Sequence, residues 1–173
     1  MFHLRQERPA DAPAIEALLD RAFGPHRTAK ASYAYRRGVP PVAALARVAV
    51  AERGRIVGTI RYWPVAVDGT PALLLGPLGV EPTLTGRGIG RALLRDSLAA
   101  VRAADAPRAV LLVGDPGYYR PLGFEIAPAT TVMPGEDPAR LMVDAAGPPP
   151  PAGTLAPRRV DAGSARERPA ATA

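Results

Sequence analysis

The chain has 173 residues, enough for one ordinary α/β domain with a buried core, and it carries a formal net charge of +6 and no cysteine. Lack of cysteine excludes a disulfide framework, a thiolate metal site and a thiol nucleophile, and His3 and His26 lie too far apart in sequence to suggest a metal centre, so no metal is expected. No apolar run approaches the roughly 18 residues of a membrane span. Lys30 is the only lysine and the arginines are scattered, so the charge reads as composition bias more than as a nucleic-acid-binding face.

In chain order, Phe2–Glu7 alternates as a first strand, with Phe2, Leu4 and Gln6 on one face. Arg5, Glu7 and Arg8 at this end are unlike a signal peptide, and a cytoplasmic location is expected. Asp11 is placed to cap a helix with Pro13 early in it and an apolar face of Ile15, Leu18, Leu19, Ala22 and Phe23; Gly24-Pro25 ends it. A second helical stretch is expected over Thr28–Arg37, closing at Gly38. Strands follow at about Ala43–Glu52 and Arg55–Val67, joined through Arg53-Gly54, then Thr70–Glu81 through Asp68-Gly69. A helix runs to about Ala104 with Leu93, Leu94, Leu98 and Val101 inward, and Ala109–Val113 reads as a strand buried on both faces. Leu141–Val143 is a further candidate strand. The domain is expected to span residues 1–146, with 147–173, opening on Gly147-Pro148-Pro149-Pro150-Pro151, a flexible tail.

The chemistry concentrates in Pro77-Leu78-Gly79-Val80-Glu81, which runs through Thr85-Gly86-Arg87-Gly88-Ile89-Gly90-Arg91 into the long helix. Glycines allow close backbone approach and positive φ. The free N–H groups and dipole of a helix start favour an anion, with Arg87 and Arg91 beside it. A Walker loop is excluded, because its second glycine would fall on Arg91. A dinucleotide fingerprint is excluded as well, because its third glycine would fall on Arg91 or Leu93.

This stretch resembles motif A of the GNAT superfamily of acyl-CoA-dependent N-acetyltransferases, whose signature is Gln or Arg, two residues, Gly, one residue, then Gly or Ala. Gly88 and Gly90 match its glycines, while Thr85 departs from its leading Gln/Arg. Further on, Ala109–Val113 followed by Gly114-Asp115-Pro116 and Tyr119-Arg120-Pro121-Leu122-Gly123-Phe124 is similar to motif B of the same superfamily, in the form found in small bacterial acetyltransferases.

The resemblance implies a GNAT fold: a mixed, mostly antiparallel sheet of six to seven strands, splayed at the cofactor site, with about four helices. It implies acetyl-CoA as cofactor, with the backbone of Leu78, Gly79 and Val80 pairing the pantetheine arm and Thr85, Gly86, Arg87, Gly88, Ile89, Gly90 and Arg91 cradling the pyrophosphate. It also implies acetyl transfer to a primary amine of a small molecule or peptide by direct attack, with Tyr119 as general acid. Tyr118 next to it is the alternative acid. Glu81 is a candidate base, against the plainer reading of a solvated strand end. Gly76-Pro77 inside the strand suggests a bulge, and Asp115 suits a turn cap more than catalysis. Arg36, Arg37, Tyr33, Tyr35, Arg61, Tyr62 and Trp63 lie in segments that line the acceptor side in this family. Exposed arginine there would favour a substrate with an acidic group. The competing reading is a non-catalytic acyl-CoA-binding regulatory or partner module, and a nucleic-acid binder comes third. Many relatives pair through sheet edges, so a homodimer stays open.

Overall fold

Two long, nearly continuous apolar segments joined by Asp68-Gly69 dictate the centre of the fold. In a computed structural model, which describes residues 1–104 and 108–158, they form the hairpin of β3 (Ile56–Val67) and β4 (Thr70–Val80). Asp68 and Gly69 both take positive φ, 42° and 83°, as a tight turn between twisted strands requires. On one side, β2 (Arg47–Val50) and β1 (His3–Gln6) add antiparallel neighbours. On the other, β4 pairs parallel with β5 (Val110–Val113), and β8 (Leu141–Asp144) and β6 (Phe124–Ile126) complete the row antiparallel.

Two helices cover the two faces of this sheet, and the alternation of β2 shows how. Val48 and Val50 face α1 (Ala12–Phe23), packing with Ile15, Leu18 and Leu19. Ala49 between them faces the cluster that holds Leu93, Leu94, Leu98 and Val101 of α3 (Ile89–Arg102). Leu18 and Leu93 are fully buried, each contributing about 1.5–3 kcal/mol relative to exposure. The hydroxyl of Tyr62 reaches Ser97 of α3 at 2.8 Å, so this buried polar pair is satisfied. Short helices α2 (Ala31–Ala34) and α4 (Pro116–Tyr119) border the site. Among the described residues no helix is long and apolar enough to cross a membrane.

The fold is the expected mixed sheet, with differences that have physical causes. Nine strands form where six to seven are expected, because β7 (Thr131–Val132) and β9 (Gly153–Pro157) pair with each other and β9 lies antiparallel on Val65–Val67 of β3. Both are short, with no periodicity to announce them; Leu155 alone anchors β9 in the core. So part of the segment read as a tail belongs to the sheet, while residues 159–173 lie outside the described residues. Asp11 precedes α1 without capping it by its side chain. Its carboxylate instead takes both guanidinium nitrogens of Arg5, at 2.6 and 2.8 Å, and the amide of Arg8, at 2.7 Å, a bidentate charged pair that outweighs one cap bond. The helix expected over Thr28–Arg37 is reduced to α2 and a single turn at Arg27–Ala29. Arg27 is buried there on Glu16, Asp20 and Tyr33, which ties the segment to α1 in place of helical repeats.

Candidate active site

The site starts with an irregularity in β4. Ile60 pairs with Leu78 and Tyr62 with Leu75, so Gly76 and Pro77 together oppose Arg61 alone, which is the expected bulge. Gly76 adopts φ 127°, a conformation for glycine, and the bond to Pro77 is cis. The indole N–H of Trp63 donates to the Gly76 carbonyl at 2.6 Å and holds the bulge in place. Parallel pairing with β5 covers only Leu73 and Leu74. Past that point the strands separate, and among the described residues the β4 edge through Leu78, Gly79 and Val80 has no strand beside it. Gly79 is required for packing as well, since a Cβ there would lie 2.6 Å from Leu19 of α1.

The open edge leads to the glycine loop. Gly86 and Gly88 take φ 81° and 79°, the left-handed region, with Gly88 as the cap residue of α3. Among the described residues, the N–H groups of Gly86, Gly88, Ile89, Gly90 and Arg91 donate to no backbone carbonyl, whereas Ala92 returns to Gly88 at 2.9 Å. This is a concave array of donors at the start of a 14-residue helix. A cleft of about 450 Å³ lies over it, bordered by Val80, Thr85, Gly90, Arg91 and Tyr118. Arg87 borders a neighbouring cleft, with Phe2 and Ile89. The donors fit a pyrophosphate, and Thr85 at the departed position leaves them intact because they are backbone groups.

The paired tyrosines divide between two clefts. Their rings meet edge to face, centroids 4.9 Å apart. Tyr118 borders the glycine-loop cleft, and a Cβ on Gly90 would come within 2.7 Å of its hydroxyl. Tyr119 packs edge-on to Phe124, occupies the space that any side chain at Gly114 would need, and borders a second cleft of about 360 Å³. Burial raises the Tyr119 phenol above its ordinary value, so it keeps its proton at neutral pH. Asp115 acts as a turn cap, accepting from the Gly117 amide at 3.0 Å. Both clefts border β4: Leu78 lines the second and Val80 the first.

Other expected residues sort clearly. Glu81 is buried and paired with Arg21 of α1 at 3.0 Å, outside the lining of either cleft. Of the acceptor-side residues, Tyr33 and Arg36 line the second cleft. Arg61 is tied to Glu7 and Glu16, Tyr62 is core, Trp63 serves the bulge, Tyr35 is buried, and Arg37 is exposed. The cleft also contains Lys30, Glu136 and Arg140, which the sequence reading missed. Arg140 ends a turn capped by Asp137, the same Asp-Pro signal as Asp115-Pro116, but it stands in a segment with little periodicity.

Residues 3–127 match the family described as Acetyltransferase (GNAT) domain. The chain is 34% identical over 126 residues to a protein of Escherichia coli named "Uncharacterized N-acetyltransferase YhbS", a match covering 72% of this chain and 74% of that protein. Among solved structures, YhbS from Escherichia coli in complex with CoA matches with a TM-score of 0.71 and 29% identity, over 89% of this chain and 88% of that one. A GNAT family acetyltransferase from Brucella melitensis in complex with acetyl-CoA matches with a TM-score of 0.67 and 34% identity, over 90% and 95% respectively. The chain belongs to the GNAT acetyltransferase family, and its fold is the GNAT fold.

Proposed function

We propose that this protein transfers the acetyl group of acetyl-CoA to a primary amine of a small molecule or peptide, by direct attack within a ternary complex. The observation that carries this reading is the continuity of β4, whose unpaired edge connects the donor array of the glycine loop to the cleft beside Tyr119. Bound there, acetyl-CoA supplies an activated thioester. The backbone of Leu78, Gly79 and Val80 offers N–H and C=O groups to an extended amide-bearing arm, as a neighbouring strand would. Gly86, Gly88, Ile89, Gly90 and Arg91 offer N–H donors to the pyrophosphate, and Arg91 adds charge.

Tyr119 acts as the general acid in this reading. Tyr119 lines the cleft at the β4 bulge, where its protonated phenol would protonate the thiolate as the C–S bond breaks and regain a proton, through solvent, from the nitrogen that has formed the new C–N bond; positioned acids of this kind typically contribute about 10²–10⁴-fold. Tyr118, beside the glycine loop, is placed to contact the cofactor instead. Glu81 faces Arg21, and the reading assigns it that ion pair and no proton transfer.

Calorimetric titration of acetyl-CoA and CoA, with Gly88→Glu as the control, tests the proposal, followed by an amine panel read through thiol release. Micromolar binding lost in the variant and turnover on at least one amine are expected. A folded protein that binds neither ligand overturns it. Binding without thiol release from any amine favours the non-catalytic acyl-CoA-binding module.

A further inference from the structure

Among the described residues, the buried arginines Arg27 and Arg61 are matched. Arg27 meets Glu16, Asp20 and the Tyr33 hydroxyl, and Arg61 meets Glu7 and Glu16. Arg36 differs. Its Nε and Nη1 are buried with no hydrogen-bond partner, and no carboxylate lies within salt-bridge distance of it, among the described residues; Tyr33 and, at longer range, Glu136 favour its charge without pairing those two nitrogens. Leaving buried charged donors unpaired is costly, so a position that retains them calls for a partner.

The group is also held in place. It stacks on the Tyr33 ring, 4.4 Å from the centroid, and its Nη2 lies beside the bulge, where a Cβ on Gly76 would be 3.1 Å away. The Tyr33 hydroxyl is already taken by Arg27. Arg36 lines the same cleft as Tyr119, together with Lys30 and Arg140, neither of which has a carboxylate partner among the described residues. The carboxylate that does border the cleft, Glu136, accepts the Ser32 amide at 2.7 Å. Burial lowers Arg36 to about 10, which leaves it cationic at neutral pH.

We infer that the cleft beside Tyr119 contains an anion-recognition site built on Arg36, and that the amine accepted there also carries a carboxylate or phosphate. The inference rests on the acetyl-transfer reading for the acceptor's role, and on the unpartnered guanidinium for the anion. A planar fork suits either oxyanion in a bidentate mode. The volume, about 360 Å³, suits a small molecule. With the anion at Arg36, the amine end is directed along the cleft toward Tyr119 and Leu78.

Matched amines that differ only in the anion provide the test: lysine against cadaverine for carboxylate, phosphoethanolamine against ethanolamine for phosphate. Each is titrated into the CoA-loaded protein and then assayed with acetyl-CoA. The expected result is at least a tenfold preference for the anionic member of one pair in binding and in kcat/KM. Arg36→Gln is expected to reduce that preference to near unity through KM, with CoA affinity unchanged, and Arg36→Lys to restore it in part. The pair that shows the preference distinguishes carboxylate from phosphate.

No preference in either pair, whether the amines bind or not, overturns the inference, and so does a preference that survives Arg36→Gln. An Arg36-dependent preference for succinyl-CoA over acetyl-CoA would move the anion to the acyl group and overturn it too. Anionic amines that bind through Arg36 without thiol release would instead overturn the acetyl-transfer reading and leave the anion site standing.

Discussion

The indole N–H of Trp63 donates to the carbonyl of Gly76 at 2.6 Å, fastening the bulge of β4 to its neighbour strand. Without that bond the bulge carbonyl is buried with no partner, and its position decides where the open edge of β4 begins. Trp63→Phe keeps most of the ring's packing and removes the donor. We expect a loss of about 1–3 kcal/mol in chemical unfolding and a rise in KM for acetyl-CoA; unchanged values for both would show that the bulge holds itself.

The two glycines of the motif differ in what they require. Gly88 sits at φ 79° with open space around it, so alanine there is strained by backbone conformation alone, costing about 1–2 kcal/mol. Gly90 is helical, and the one close contact of a Cβ there is the far end of the exposed Tyr118 side chain, with Val80 and Leu78 at ordinary distance. Gly88→Ala is therefore expected to lose stability by about that amount, and, as the free loop relaxes out of the left-handed conformation, to weaken CoA binding by up to roughly tenfold. Gly90→Ala should stay near the parent. Calorimetry on both variants checks the order.

Tyr119→Phe is expected to lower kcat at least tenfold with little change in CoA affinity, and Tyr118→Phe to do the reverse. The separation follows from their clefts: Tyr119 borders the one with Arg36, Tyr118 the one with the glycine loop. Steady-state kinetics beside calorimetry for each variant decides it. An unchanged kcat for Tyr119→Phe would remove it from the acid role.

Glu81→Gln breaks the ion pair with Arg21 and leaves a buried amide against a half-exposed guanidinium. A modest stability loss is expected, with the pH dependence of kcat/KM retained. Loss of the acidic limb of that profile would instead make Glu81 the base.

Arg5 beside it holds the Asp11 carboxyl at about 2, below its ordinary 3.8. A carboxylate lowered on folding stabilises above the unfolded pKa, and that stability is lost as pH falls through the folded one. Asp11→Asn is thus expected to cost about 1–2 kcal/mol at pH 7. The gap to the parent should close between about pH 4 and 2. Urea unfolding across that range measures it.

Much of the frame was legible. Apolar runs of the right length marked β3, β4 and β5, and Gly76-Pro77 marked the bulge, because these signals are local: periodicity, φ preference and a missing donor. The helix expected over Thr28–Arg37 was misread because its propensities say nothing of Arg27, which is drawn into α1 by Glu16 and Asp20. β7 and β9 escaped for a related reason. Strands of two and five residues gain their stability from the partner they meet, not from their own pattern.

By itself the sequence determined the donor array of the glycine loop and the family, since backbone N–H donors at a glycine-opened helix depend on residues adjacent in the chain. Tertiary structure decided which tyrosine borders which cleft, that Glu81 faces Arg21, and that Arg36 alone among the acceptor-side arginines keeps buried donors without partners among the described residues. Those outcomes depend on side chains from distant segments competing for the same charges: Glu7 and Glu16 reach Arg61 and Arg27 but not Arg36. No spacing along the chain encodes which cation is left over.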